Sequence, residues 1–440
     1  MCYHLFQRKT TRYMSILFSN CRILTSGSVI DNGFLGVDGT TIDYIGTSKP
    51  HKDYTQEKNM KGSLLMPGLV NDHTHTAMVL MRGLGSDLPL SEWLGAMWKI
   101  EDRMERAEIR AGMELALLEM LSSGTTCFHD MYLIPTAVTD IIGESGIKAT
   151  ISRCVTCFDS GQDYDTFENT NGSKALYDEY NNSYDGRLKV DFAVHAEYTS
   201  PPHIVRRYSE DCLKRGARMH IHLSETAKEQ RECLEKYGKT PTEYFENLGL
   251  FDNPTTAAHC VHLTENDMAI LKKHDVTVVH NPTSNLKLGS GIAPVPDMIE
   301  KGLRVSLGTD GAASNNNLDM LEEMHMASVI HNGARENPVI MKPLDVIAMA
   351  TGNGAESMGR ADTGVLEVGK KADIIALSLS SPHAVPALNI PALVTYSLQS
   401  SDVSMTMVDG RILYENGEFL TLDRERIYAD VEKCLSNLYA

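Results

Sequence analysis

The chain has 440 residues, 42% hydrophobic and 22% charged, which suits a globular protein and excludes a disordered one. That length exceeds an ordinary single core unless much of it forms an α/β barrel, and no apolar run is long enough to span a bilayer. A net charge of −17, from 41 basic and 58 acidic residues, would repel phosphate, so a small-molecule ligand is expected and neither nucleic acid nor a membrane.

Residues 1–13, MCYHLFQRKTTRY, are basic but carry no apolar signal core, and are expected to form a disordered leader ahead of an alternative start at Met14. Nine cysteines without regular spacing do not make a secreted disulfide scaffold, so a cytoplasmic location is expected. Cys154 and Cys157 form a lone C-x-x-C, read as buried thiols beside a strand.

Residues 14–66 read as short strands broken by Asn-Gly, Asp-Gly and Gly turn signals, and a similar stretch returns at 363–420 with "GVLEVGKKADIIALSLS" and "VSMTMVDGRILYENGEF". One small β-sandwich domain built from both termini is expected, followed by a C-terminal helix at 421–440. Between them, residues 67–362 alternate helix-like and strand-like segments. "RAEIRAGMELALLEMLSSG" puts Ile109, Met113, Leu117, Met120 and Leu121 on one helical face, and Gly124 ends it. Eight strand-like pieces follow in order: "LLMPGLVNDHTH", "TTCFHD", "KATISRCV", "KVDFAVHAEY", "ARMHIHLSE", "TTAAHCVHL", "VTVVHNPTSN" and "RVSLGTDGA". Strands at these intervals predict an α/β fold of the (β/α)8 TIM-barrel type, whose chemistry gathers at the C-terminal strand ends. The polar stretch 159–187 is expected to fold as a loop and helix over the barrel mouth.

Nearly every strand-like piece ends in a residue able to bind metal or move protons. The first gives His73 and His75, which project to the same side because strand side chains alternate. The fifth gives His220, His222 and Glu225, the sixth His259 and His262, and the eighth Asp310. A mononuclear catalytic zinc takes nitrogen and oxygen ligands and leaves a position open for water. His73, His75, His222 and Asp310 could supply that set, and water at such a site ionises near pH ~7. Glu225, just past the fifth strand, suits a proton shuttle, and His259 could orient the attacking water. His129-Asp130 reads as support for the metal ligands, and His280, Asn281 and Asn285, after the seventh strand, as lining the pocket or fastening the loop. Trp93 and Trp98, with neighbouring methionines, flank the lip.

"PGLVNDHTHTAMVLMRGL", "IHLSETAKE", "AAHCVHL", "VVHNPTSNLKLGSGIAPV", "SLGTDGAASNN" and "GVLEVGKKADIIAL" together resemble the amidohydrolase superfamily. Within it they resemble the S-adenosylhomocysteine/5′-methylthioadenosine deaminases and their close relatives, across residues 15–420. The resemblance implies one divalent metal per subunit on His73, His75, His222 and Asp310, zinc in the first instance with iron(II) or manganese(II) as alternatives. Glu225 would protonate the adenine ring, while His259 and Asp310 would manage the water proton. Hydroxide would add to the amine-bearing carbon and ammonia would leave, converting adenine to hypoxanthine. Glu101 would hold ribose hydroxyls, Arg153 would contact substrate, and His195 would contact base or sugar, so that substrate binding falls to Glu101, Arg153, His195, Glu225 and Asp310. Relatives are commonly dimers or tetramers, so a homo-oligomer is expected.

Two departures bear on substrate. The adenosylhomocysteine users resemble one another in a second arginine about a dozen residues after the first, where this chain has "DYDTFEN". Without it a homocysteine carboxylate lacks a bidentate partner, which favours methylthioadenosine, adenosine or 5′-deoxyadenosine unless Lys174 substitutes. Glu197 stands where relatives often have proline, either to contact ligand or to pair with a loop cation. Two other functions stay open. A relative acting on guanine, a pterin or an s-triazine would share the metal and differ in the pocket. A catalytically dead scaffold barrel would be marked by lost ligands, and none of the set is missing.

Overall fold

The computed structural model describes residues 15–439; the leader expected at 1–13 lies outside them. Five strands open the chain: β1 (Ser15–Leu24), β2 (Val29–Asp38), β3 (Thr41–Gly46), β4 (Gln56–Asn59) and β5 (Leu64–Pro67). Eight more follow: β6 (Leu69–Thr74), β7 (Thr125–Tyr132), β8 (Lys148–Val155), β9 (Leu188–Val194), β10 (Met219–Leu223), β11 (Thr255–His259), β12 (Thr277–His280) and β13 (Arg304–Leu307). The last four are β14 (Ile374–Leu377), β15 (Val403–Val408), β16 (Arg411–Glu415) and β17 (Glu418–Phe419).

Strands β6 to β13 pair in sequence order, all parallel, with helices between them, as a (β/α)8 barrel requires. Its seam lies between β13 and β6. There the Asp310 amide donates to the His73 carbonyl at 2.9 Å, the Thr309 amide to Asn71 Oδ1 at 3.0 Å, and the Thr74 hydroxyl to the Asp310 carbonyl at 3.0 Å. Both faces of these strands are buried, since one row of side chains fills the barrel and the other meets the helices. The sequence MHIHL of β10 is therefore buried at all five positions.

The remaining strands make one sheet in the order β17-β16-β15-β14-β5-β1-β2-β3, with β4 also on β1. Pairing of β14 with β5 joins the two ends of the chain, around a core of Phe18, Ile23, Leu35, Val37, Leu65, Ile374 and Met407. A buried ion-pair cluster ties this sheet to the barrel floor: Lys148 of β8 meets Asp373 at 2.6 Å and Asp409 at 2.8 Å. The helix Arg106–Ser122 packs beside β7, and the terminal helix Arg424–Leu438 lies on it, with Arg426 against Glu114 at 2.7 Å. No described helix is long and apolar enough to cross a membrane.

One expectation is corrected here. The helix within 159–187, Glu168–Tyr180, does not cover the mouth but packs on the outer wall against β8 and β9, burying Thr170, Ser173 and Leu176. Strand–helix–strand chirality places it there, as an ordinary connecting helix of the barrel. Phe158, just before the segment, lines the cavity at the mouth, and no residue of 159–187 does.

Candidate active site

At the C-terminal ends of the barrel strands lies a cavity of about 310 Å³, a size suited to a small organic ligand. Its floor is built from His75, His222, Glu225, His259 and Asp310, and its walls include Trp93, Met97, Trp98, Glu101, His195 and Tyr198. His73 sits directly beneath, fully buried, its ring 4.9 Å from both His75 and His222 and 5.4 Å from His259. Several of the strand ends that present these groups bend through left-handed backbone. Ser224, His259 and Asp310 have φ of 48°, 72° and 62°, a conformation non-glycine residues adopt where surrounding contacts enforce it.

Each donor is aimed by a partner on its far side. His75 Nδ1 donates to the Met131 carbonyl at 2.6 Å and His222 Nδ1 to the His195 carbonyl at 2.8 Å, which turns both Nε2 atoms inward. Those two Nε2 atoms stand 3.3 Å apart. Asp310 is held from three sides: Oδ2 accepts from Ser284 at 2.6 Å and Ser314 at 2.7 Å, and Oδ1 accepts from the Gly311 amide at 2.7 Å. Its Oδ1 lies 3.5 Å from His73 Nε2 and 3.3 Å from His75 Nε2.

The charges follow from this packing. Burial disfavours the Asp310 carboxylate, yet His73 and His75 hold it well below the usual range. Burial would lower His75, but Asp310 and the Met131 carbonyl outweigh it and push the imidazole up to about 9. With less support, His73 is lowered to about 3 by burial. His222 also falls well below its ordinary value, through burial and its histidine neighbours.

These donors fit a divalent cation. Donor atoms of His73, His75 and Asp310 lie within 4.8 Å of one another, as do those of His73, His222 and His259. Among the described residues His73 Nε2 is buried with no hydrogen-bond partner, and lone pairs crowded this closely are satisfied by a shared positive ion. Three imidazoles and one carboxylate form a nitrogen–oxygen set of the zinc type.

Glu225 enters the cavity from the loop after β10. Its Oε2 is 3.9 Å from His259 Nε2, its Oε1 accepts from Ser290 at 3.3 Å, and burial pushes its carboxyl up to about 7. The loop itself is clamped by Glu229, whose carboxylate accepts the amides of Ser224 at 2.8 Å, Glu225 at 2.7 Å and Thr226 at 3.3 Å. His259 donates through Nδ1 to Asn285 Oδ1 at 2.8 Å, leaving Nε2 facing Glu225. Asn281 Nδ2 lies 3.4 Å from the same Nδ1, but that atom is committed to Asn285, so Asn285 alone fastens the ring.

Of the residues expected to bind substrate, Glu101 and His195 line the cavity and Arg153 does not. Burial raises the Glu101 carboxyl, with a hydrogen bond to Tyr132 opposing it. His195 is lowered to about 4 by burial and the His75 charge, and its buried Nδ1 has no partner among the described residues. Arg153 faces outward, donating to Asn169 and Glu168, both at 2.9 Å. Its neighbour Cys154 turns inward instead, as alternation along β8 demands. Lys174 is also directed away, 3.4 Å from Asp211 and over the Tyr164 ring. Glu197 neither contacts the cavity nor pairs with a cation as its main partner. It is buried behind the wall, where desolvation and the adjacent Glu229 push it up to about 10.

Several contributors were not singled out from the sequence. Ser284 and Ser314 grip Asp310, the Met131 carbonyl aims His75, and Tyr198 and Phe158 line the cavity, as does Cys154, which the sequence marked only as a buried thiol. For Cys154 a signal existed, because of two adjacent strand residues only one can face inward. The eight described cysteines, including Cys154 and Cys157, are free and buried.

A parallel eight-stranded barrel carrying this donor set beyond its strand ends is the architecture of a metal-dependent hydrolase. The chain belongs to the amidohydrolase family, whose model matches residues 64–413, and a divalent metal ion is accordingly assigned to the histidine–aspartate cluster. Among similar curated proteins, the 5-methylthioadenosine/S-adenosylhomocysteine deaminase of Caldanaerobacter subterraneus subsp. tengcongensis is 40% identical over 97% of this chain and 99% of its own. The protein of the same name from Acetivibrio thermocellus is 41% identical over 96% and 98%. In three dimensions the chain is similar to a zinc-bound adenosine deaminase from Xanthomonas campestris, with a TM-score of 0.91 and 27% identity over 96% of this chain and 98% of that one.

Proposed function

We propose that this protein is a hydrolytic deaminase that converts the adenine of a 5′-substituted adenosine to hypoxanthine and releases ammonia. The observation that carries the reading is the approach of Glu225 to His259 beside a His73–His75–His222–Asp310 donor set at the base of the cavity. The similar proteins named methylthioadenosine/S-adenosylhomocysteine deaminase support the substrate class, the zinc in the adenosine deaminase supports zinc, and the single donor cluster is read as holding one ion per subunit.

His73, His75, His222 and Asp310 would hold the cation, which when bound supplies the Lewis acidity that makes water ionisable near neutral pH. His259 receives the proton that water loses, since its Nδ1 is committed to Asn285 and its Nε2 is bare. Asp310 Oδ1, facing the histidines, shares that proton, while Oδ2 stays occupied by Ser284 and Ser314. Glu225, protonated below about pH 7, delivers its proton to the ring nitrogen beside the amine-bearing carbon. A carbon–oxygen bond forms from water and the carbon–nitrogen bond breaks. The proton taken by His259 passes to the departing amine, which leaves as ammonia, and the remaining hydroxyl proton returns to Glu225 as the carbonyl forms. Glu101 grips the ribose hydroxyls, and His195 offers its free Nδ1 to base or sugar.

The wall argues for an uncharged 5′ substituent. No lysine or arginine lines the cavity among the described residues, whereas Glu101 and Asp102 do. Arg153 and Lys174 are both engaged elsewhere. A homocysteine carboxylate would meet no cation there, while a methylthio or deoxy group would meet Trp93, Met97 and Trp98. The buried free thiols suit the cytoplasm.

Ultraviolet spectroscopy with methylthioadenosine, 5′-deoxyadenosine, adenosine, S-adenosylhomocysteine and guanine tests the reading. Deamination of the first three is expected, with S-adenosylhomocysteine slower. Activity on guanine with none on any adenine nucleoside would overturn it.

A further inference from the structure

His220 takes no part in the chemistry above, yet it occupies the layer directly beneath the donor set. It lies two positions before His222 on β10, so both rings face the barrel interior, and it is fully buried. Its Nε2 is 2.9 Å from His73 Nδ1, and the two rings meet edge to face with centroids 5.0 Å apart. On its other side its ring rests 3.9 Å from that of His129. His129 is itself braced between buried carboxylates, with Nδ1 3.4 Å from Asp72 Oδ1 and Nε2 3.5 Å from Asp191 Oδ2. Asp72 in turn accepts from Ser306 at 2.6 Å.

A neutral imidazole carries one proton. For His73 Nε2 to present a lone pair to a cation, Nδ1 must hold that proton and needs an acceptor. Two of the neighbouring ligands have carbonyl acceptors, Met131 for His75 and His195 for His222, and a carbonyl can only accept. His73 differs, because the atom facing its Nδ1 belongs to an imidazole that can accept or donate. If His220 donated, the His73 proton would sit on Nε2, directed at Asp310, and a cation would have to displace it.

We infer that His220 is a positioning residue for His73, accepting the Nδ1 proton so that Nε2 is free to bind the metal. The proton of His220 then sits on its own Nδ1, which is buried without a partner among the described residues, a cost that binding of the metal by His73 offsets. The stack on His129, held by Asp72 and Asp191, keeps the His220 ring at the height and tilt this contact needs. The inference rests on the proposed role of His73 as a ligand.

Asn and Gln substitutions test it, because the Gln amide oxygen can reach the place of Nε2 and the shorter Asn amide cannot. Zinc affinity is measured by competition with a chromophoric chelator, and unfolding of the metal-free variants is followed by calorimetry. His220→Asn is expected to weaken zinc binding by about 10–100-fold, as loss of an outer hydrogen bond to a ligand does. His220→Gln is expected to stay within a few-fold of wild type. Equal affinities for Asn, Gln and wild type would overturn the inference, as would a folded Gln variant as weak as Asn. Should the Asn variant not fold, His220→Leu, which fills similar space and offers no acceptor, takes its place in the same comparison with Gln and wild type. His73→Ala is the control: unchanged zinc affinity there would remove His73 as a ligand, which is a failure of the underlying reading and not of the His220 contact.

Discussion

Asp310 is tied to His73 through the backbone, its amide donating to the His73 carbonyl at 2.9 Å, and this brings its Oδ1 to face His73 Nε2 at 3.5 Å. The same contact closes the barrel between its first and last strands. Assembly of the donor set and closure of the fold are therefore one event, and a disturbed seam would disturb the site.

Ligand removal comes first. With His222→Ala the cluster loses an imidazole whose Nε2 stands 3.3 Å from that of His75. Zinc affinity should fall by more than about a hundredfold, beyond what loss of an outer contact causes. Elemental analysis after dialysis against a chelator reads this directly, and full occupancy would remove His222 from the ligand set.

Glu225 is expected to act by its proton. Glu225→Gln keeps the size and should retain metal while losing on the order of a hundredfold or more in turnover. Near-normal turnover would exclude it from the reaction.

The pH profile has a definite sign. Burial raises the Glu225 carboxyl to about 7, so the protonated form needed for donation dominates below that and is lost above it. The same linkage makes folding stability attributable to this group complete below the ordinary glutamate range and lost as pH rises through about 7. In the kinetics, kcat/KM should fall about tenfold per pH unit on the alkaline side. A profile flat to high pH would contradict the donor role.

Glu101→Ala should discriminate between nucleoside and base. If the carboxylate grips ribose hydroxyls, kcat/KM for adenosine should drop roughly ten- to a hundredfold, the worth of one or two charged hydrogen bonds, with little change for adenine. Equal losses on both would place Glu101 elsewhere in the mechanism.

Glu229→Ala removes the acceptor of three consecutive amides around Glu225. Thermal unfolding should show a loss of about 1–3 kcal/mol for the unpaired donors. Turnover should fall while zinc affinity holds, because no ligand atom touches this carboxylate. A loss of metal together with stability would indicate wider collapse.

The strand-end pattern in the sequence was enough to assign the barrel and to name His73, His75, His222, Glu225, His259 and Asp310. Each follows a short apolar run, and parallel pairing carries all such ends to one rim whatever their separation along the chain. Orientation and partnership belong to the tertiary structure. On paper Arg153 is the substrate contact and Cys154 a buried thiol, and only the register of β8 in the barrel sends the arginine outward to Glu168 and the cysteine into the cavity. Glu197 reads as a ligand contact or the partner of a loop cation until the packing shows it buried against Glu229. A sequence records local periodicity, which decides which residues form a strand; charge state and hydrogen-bond partner depend on distances between remote segments, which exist only once the barrel has closed.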